Sequence, residues 1–178
     1  MEKQFVRRTI GLVAHDAKKK DLIEWALWNS ERLIGHKFYC TGTTGKLILD
    51  ALTKKHPNVK WDFTNLKSGP LGGDQQMGSR LVEGMIDYLF FFTDPMTMQP
   101  HDTDVKALTR LASVQNIVFC CNRSTADHVI TSPLFTDPSY KPIAPDYTNY
   151  AKRFEQKSVV DEALQSVERM KHTNSSKS

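Results

Sequence analysis

One stretch of the chain joins a carboxylate to unusual backbone freedom: Ser68-Gly69-Pro70-Leu71-Gly72-Gly73-Asp74-Gln75-Gln76. Glycine, proline and serine let a backbone bend tightly and come close to a bound group. Asp74 ends the bend, where a helical pattern running to Glu83 begins. Asp74 is therefore either a helix N-cap, accepting from the first free N–H groups, or a base in a site. A second stretch, Thr41-Gly42-Thr43-Thr44-Gly45, offers hydroxyls, small residues and helix-start N–H groups. That combination binds anions, phosphate above all. Its plain alternative is a strand–helix turn with a threonine cap. A third, Thr93 to Asp104, holds two prolines, His101 and the carboxylates Asp94, Asp102 and Asp104. His101 is either a structural histidine or a proton carrier. His15, Asp16 and Lys19 form a fourth group, in which Lys19 supplies positive charge.

An anion cradle beside carboxylates and a histidine suits proton transfer next to a phosphate-bearing carbon. A carboxylate takes the proton from carbon, and a histidine stabilises the oxygen that becomes enolate-like. Neither GxGxxG nor GxxxxGK[ST] occurs, so a small phosphate ester is expected rather than a dinucleotide or a nucleoside triphosphate.

These residues need a frame that brings distant loops together. Ile10 to Ala14 and Ile86 to Phe92 are continuous apolar runs, as in strands buried on both faces of a parallel sheet. His36 to Cys40, Val59 to Phe63 and Asn116 to Cys121 read as three more strands. Between them, apolar residues recur at helical spacing: Leu22 to Ile34, Leu47 to Leu52, Met77 to Met85 and Val105 to Ala112. Ser124 reads as the cap of a further helix, with Asp127 three residues on. Strand and helix alternate five times. We therefore expect an α/β fold, a five-stranded parallel sheet with helices on both faces. Ligands bind such sheets beyond the carboxyl ends of the strands, and every chemically loaded loop follows a strand. Residues 1–150 form this domain. Val159, Val160, Ala163, Leu164, Val167 and Met170 predict a C-terminal helix over residues 151–172, and 173–178 read as a disordered tail.

Composition narrows the classes further. The chain has 178 residues, enough for one well-buried core, and a formal charge of +4 too scattered for a nucleic-acid footprint. The three cysteines, Cys40, Cys120 and Cys121, are odd in number and argue against a disulfide framework. No CxxC pair suggests zinc. No apolar run reaches the roughly 20 residues that span a bilayer. Met1 to Gln4 leads directly into the first strand, so we expect no signal peptide and a cytoplasmic setting.

Taken jointly, the motifs match a family. Val13-Ala14-His15-Asp16 with Lys19, Thr41 to Gly45, Ser68 to Gln76, Asp94-Pro95, and Pro100-His101-Asp102-Thr103-Asp104 through Leu108 resemble methylglyoxal synthases. Thr125-Ala126-Asp127 and Pro145-Asp146-Tyr147 extend the likeness, which covers residues 8 to 150. The resemblance implies conversion of dihydroxyacetone phosphate to methylglyoxal and inorganic phosphate, without metal or other cofactor. It further implies inhibition by phosphate and a homohexamer. It makes Asp74 the catalytic base and His101 the group that polarises the substrate oxygens and shuttles a proton. Asp16 and Asp104 become supporting carboxylates. His15, Lys19, Thr41, Gly42, Thr43, Thr44, Ser68 and Gly69 become substrate and phosphate contacts. Three features depart from the family pattern: a longer segment from His56 to Lys67, a longer C-terminal helix, and a subunit-interface arginine that aligns only approximately with Arg153. The same fold also serves as a non-catalytic, anion-binding regulatory domain in carbamoyl phosphate synthetase. Asp74 and His101 together separate the two readings, because a binding module needs no acid–base pair.

Overall fold

The computed structural model describes residues 5–98, 101–152, 160–161 and 164–168. Five strands form one sheet: β1 (Thr9–Ala14), β2 (Lys37–Thr41), β3 (Asp62–Leu66), β4 (Tyr88–Phe92) and β5 (Val118–Cys120). All pairings are parallel, in the order β3-β2-β1-β4-β5. The crossovers carry α1 (Lys19–Trp28) and α2 (Ser30–Leu33), then α3 (Gly42–Lys55), α4 (Gly73–Val82) and α5 (Asp102–Val114). After β5 come α6 (Arg123–Thr131), α7 (Pro133–Thr136) and α8 (Thr148–Ala151).

Alternation along the strands sorts the core into two layers. Ile10, Leu12, Phe38, Cys40, Phe90 and Phe92 face one side, with Leu22 and Trp25 of α1 and Ile48 and Leu52 of α3. Val13, Tyr39, Leu89 and Phe91 face the other, with Met77 and Leu81 of α4 and Val105 and Leu108 of α5. Both faces are covered, which is why β1 and β4 read as unbroken apolar runs.

Three elements differ from the sequence reading. The third strand starts at Asp62, not Val59. Trp61 is apolar but packs from just before the strand, 6.5 Å from Phe38 and 6.1 Å from His56 between ring centres. The register is set instead by Phe38 opposite Phe63, whose rings stack at 4.5 Å. The helix expected over Leu22 to Ile34 breaks at Asn29, whose side-chain amide turns back to the Trp25 carbonyl at 3.0 Å. Finally, the cap of α6 is Asn122 rather than Ser124, its side chain accepting from the Thr125 N–H at 2.9 Å.

At the amino edge of the sheet, Arg8 is buried and ties β1 to α7. Its Nε donates to the Phe135 carbonyl at 3.1 Å, and its Nη2 to those of Leu134 at 3.3 Å and Asp137 at 2.8 Å. Its main-chain N–H donates to Nδ1 of His36 at 3.0 Å. The His36 ring stacks on Phe5 and meets the edge of Phe135.

The chain divides into two compact units, Met1–Ala144 and Pro145–Ser178. In the second, the Asp146 carboxylate accepts from the Thr148 N–H at 2.9 Å and opens α8. Of the expected C-terminal helix, residues 160–161 and 164–168 are helical, with Val160, Leu164 and Val167 exposed. Its remaining apolar positions, Val159, Ala163 and Met170, lie outside the described residues, as does the expected tail. No helix among the described residues is long and apolar enough to cross a membrane.

Candidate active site

β1 and β4 are neighbours although their paired residues are 78 positions apart, as in Ile10 with Tyr88. From β1 the chain winds outward through β2 and β3, and from β4 through β5. The loops leaving β1 and β4 therefore part and open a crevice, as at the reversal point of other open parallel sheets. A cavity of about 450 Å³ occupies it. His15 and Asp16 reach it from the end of β1, and Lys19 from the start of α1. Thr41, Gly42, Thr43 and Thr44 come from the β2–α3 junction, and Ser68, Gly69 and Asp74 from the stretch after β3. His101 comes from the start of α5. Asp104 alone of the expected site residues does not line it. Asp104 lines an adjoining groove between α4 and α5, and Asp74 forms a wall of both spaces. Sequence reasoning missed Phe91, which lines the cavity and meets the His15 ring edge-on at 5.1 Å. Its only signal was its place near the end of an apolar run.

The anion side is built from a helix start. α3 begins at Gly42 and leaves its first N–H groups without intrahelical acceptors, at the positive end of the helix dipole. No side chain caps it. The Gly42 N–H is spent on the Lys67 carbonyl at 3.0 Å, which joins the second cavity loop to the third. Gly42 has φ +44°, and a Cβ there would stand 2.7 Å from the Ser68 Cα, so only glycine permits that contact. Lys19 Nζ donates to Thr43 Oγ1 at 2.7 Å and to Asp16 Oδ1 at 2.5 Å. The hydrogen bond from Lys19 holds the Asp16 carboxyl below the usual carboxylate range. Asp16 thereby positions the ammonium while remaining at the rim.

The proton-transfer side is buried. Asp74 is the second residue of α4 and does not cap it; the cap position is Gly72, at φ +92°. The N-cap reading of Asp74 is thus excluded. Asp74 is 3% exposed, and its Oδ2 has no hydrogen-bond partner among the described residues. Burial raises its pKa above the carboxylate norm; the nearby His101 opposes this and the Asp104 charge adds to it. His101 Nε2 stands 3.5 Å from Asp74 Oδ2, too long for a good hydrogen bond but close enough for proton exchange after a small shift. The His101 Nδ1 is buried and also without a partner among the described residues. Gly69 leaves the gap between them: a Cβ there would lie 2.8 Å from Asp74 Oδ2 and 2.9 Å from His101 Nε2.

His15 completes the set. Its Nδ1 accepts the Asp94 main-chain N–H at 2.9 Å, and its Nε2 is buried without a partner among the described residues. Burial lowers its pKa, and the His101 ring, 6.3 Å away between centres, lowers it further. Among the described residues, no group of three or more His, Cys, Asp or Glu could hold a metal ion. The arrangement binds a small anion and places a buried carboxylate beside two imidazoles. It can take a proton from carbon next to a polarised oxygen.

The chain is similar to known proteins of one family. The family described as "MGS-like domain" matches residues 22–121. A methylglyoxal synthase of Oleidesulfovibrio alaskensis is 51% identical over 147 residues, 83% of this chain and 95% of that protein. One of Pseudoalteromonas atlantica is 49% identical over 142 residues, 80% of this chain and 100% of that protein. The crystal structure of methylglyoxal synthase from Elizabethkingia anophelis superposes with a TM-score of 0.71 at 46% identity, covering 82% of this chain and 91% of that one.

Proposed function

The chain belongs to the methylglyoxal synthase family, and from that premise we propose how its cavity performs the reaction. The activity is that of a lyase forming methylglyoxal. We read it as a carbon–oxygen lyase acting on dihydroxyacetone phosphate. The observation that carries this reading is the Asp74 carboxylate: buried, without a hydrogen-bond partner among the described residues, and beside His101.

The phosphoryl group sits at the start of α3, held by Lys19, Thr43, Thr44 and free N–H groups, with Thr41, Gly42, Ser68 and Gly69 closing the cradle. Asp74 removes a proton from the hydroxymethyl carbon. The C–H electron pair forms a C=C bond, and the carbonyl π pair moves to oxygen, giving an enediolate. A raised Asp74 pKa makes its carboxylate a stronger base. His101 then takes the hydroxyl proton. The new aldehyde C=O forms, the C=C bond shifts, and the C–O bond to phosphate breaks. The products are inorganic phosphate and the enolate of methylglyoxal, whose terminal carbon then takes a proton to give the ketone; the two protons held by Asp74 and His101 are the ones returned to the products. Asp104 keeps Asp74 basic through its charge, and Asp16 holds Lys19 in place.

The reading needs no metal or other cofactor. Inorganic phosphate, sharing the cradle, competes with substrate. The catalytic unit is residues 1–150, the enzyme is cytoplasmic, and the chains assemble as a homohexamer. Light scattering on the full chain tests the assembly. Incubation with dihydroxyacetone phosphate, assaying methylglyoxal and free phosphate, tests the chemistry. Release of both in equal amounts is expected. Formation of glyceraldehyde 3-phosphate without free phosphate would make the protein an isomerase. Phosphate binding without turnover would make it a regulatory anion module.

A further inference from the structure

The cavity holds two imidazoles, and their surroundings divide the work between them. We infer that His15 is a fixed neutral hydrogen-bond donor to the substrate's carbonyl oxygen, set in that form by the Asp94 main chain, and not a phosphate ligand. The inference rests on the reaction proposed above and deepens it.

A ring nitrogen that accepts an N–H cannot also carry a proton. His15 Nδ1 accepts from Asp94 at 2.9 Å, so in neutral His15 the proton is on Nε2. The Asp94 N–H is itself held in place, because the Asp94 carboxylate turns back to accept the Met96 N–H at 3.0 Å. The β1–β4 pairing puts Ala14 opposite Phe92, and the His15 N–H donates to the Phe92 carbonyl at 3.2 Å. Backbone and ring of His15 are thus both locked to the chain that leaves β4.

The locked ring presents a buried Nε2–H with no acceptor among the described residues. A buried donor left unpaired costs free energy unless a ligand supplies the acceptor. A cationic His15 would have to break the Asp94 bond and charge a site already shared with His101. Burial and the neighbouring imidazole both oppose that. A neutral imidazole can still stabilise an enediolate, as the handling of the same triose by triosephosphate isomerase illustrates.

His101 is built differently. Its Nδ1 has no hydrogen-bond partner among the described residues, and Nε2 faces the base at 3.5 Å. Its tautomer is free to change, as a proton carrier requires. In the first step the carbonyl oxygen gains the π pair and becomes an oxyanion; His15 donates a hydrogen bond to it and transfers no proton. His101 moves the hydroxyl proton in the second step.

Long-range nitrogen-15 NMR of the wild-type chain, assigned by comparison with His15→Gln, reads the tautomer directly. One unprotonated Nδ1 and one protonated Nε2 are expected for His15 across neutral pH. A protonated Nδ1 or a doubly protonated ring would overturn the inference. Kinetics test the role. His15→Leu should lose about 100- to 1000-fold in kcat, the usual cost of an oxyanion donor. Its inhibition constant for inorganic phosphate should stay unchanged, and His15→Gln, with a neutral N–H, should recover part of kcat. Loss of phosphate affinity in step with kcat/KM would make His15 a phosphate contact instead. Turnover by the wild type is measured first, so a failure here leaves the methylglyoxal synthase reading untouched.

Discussion

His15 and His36 stand near opposite ends of the central strand, and the chain treats them alike up to a point. Each is buried, and each accepts a main-chain N–H on Nδ1, from Asp94 at 2.9 Å and from Arg8 at 3.0 Å. Each meets aromatic rings: Phe91 for His15, Phe5 and Phe135 for His36. The difference lies in the second nitrogen. His36 also hydrogen-bonds to the Arg32 main chain, whereas His15 Nε2 has no partner among the described residues. At the amino edge the histidine serves the fold. At the carboxyl edge one need is left open for a ligand. Asp74 and His101 repeat the carboxyl-edge pattern. Burial alone does not mark a functional residue; the cavity stands out because three of its buried polar groups lack a partner side by side.

The comparison breaks first at Asp74. Asp74→Asn keeps the shape and removes the base, so kcat should fall by about 1000-fold or more. A carboxyl whose folded pKa is raised costs stability at neutral pH, so the thermal midpoint should hold or rise. Near-wild-type turnover would strip Asp74 of its role.

The opposite effect belongs to the amino edge. Burial depresses the His36 pKa from 6.5 to about 4. Between those values the unfolded chain binds more protons than the folded one, so stability falls as pH drops through that window. The loss reaches about 3.5 kcal/mol at most, at about 1.4 kcal/mol per unit. Chemical denaturation of wild type and His36→Asn should show a shallower pH slope in the variant. Equal slopes would mean that His36 titrates normally.

Two smaller changes sharpen the carboxyl edge. Gly69→Ala pushes a methyl between Asp74 and His101, 2.8 and 2.9 Å from their reacting atoms. A displacement of that size should cost about 10- to 100-fold in kcat with little change in phosphate binding. Equal losses in both would mean that the loop has moved as a whole. Lys19→Ala should weaken inorganic phosphate and substrate together by about 10-fold, a charge-assisted bond discounted for partial exposure. An inhibition constant for phosphate that stays put would remove Lys19 from the cradle.

Much of this was readable beforehand because the signals were local. The apolar runs at Ile10 and Ile86 needed no partner to be recognised as central strands, and the Ser68 to Gln76 stretch advertised a tight turn. The third strand was misplaced because Trp61 and Phe63 look alike in sequence; only pairing with Phe38 tells which one belongs to the sheet. Asp74 as cap or base could not be decided from spacing either. The decision rests on Gly72 taking φ +92° and moving the helix start by two residues. Unreadable altogether was the Asp94 N–H on His15, a main-chain contact between residues 79 apart that no side-chain pattern encodes.

The central position of β1 has a consequence for how the protein comes into being. β1 pairs with β2 across 28 residues, and β2 with β3 across 25, but β1 pairs with β4 only across 78. Contacts nearer in sequence close at lower entropic cost and form sooner. A chain emerging from the ribosome therefore completes Lys19, the start of α3 and Ser68 while β4 is still being made. The residues of the phosphate cradle are made first. Asp74 meets His101, and His15 meets Asp94, only when β4 docks. Synthesis in this order brings the cradle before the catalyst, and the nascent chain holds no acid–base pair until residues beyond β4 are made.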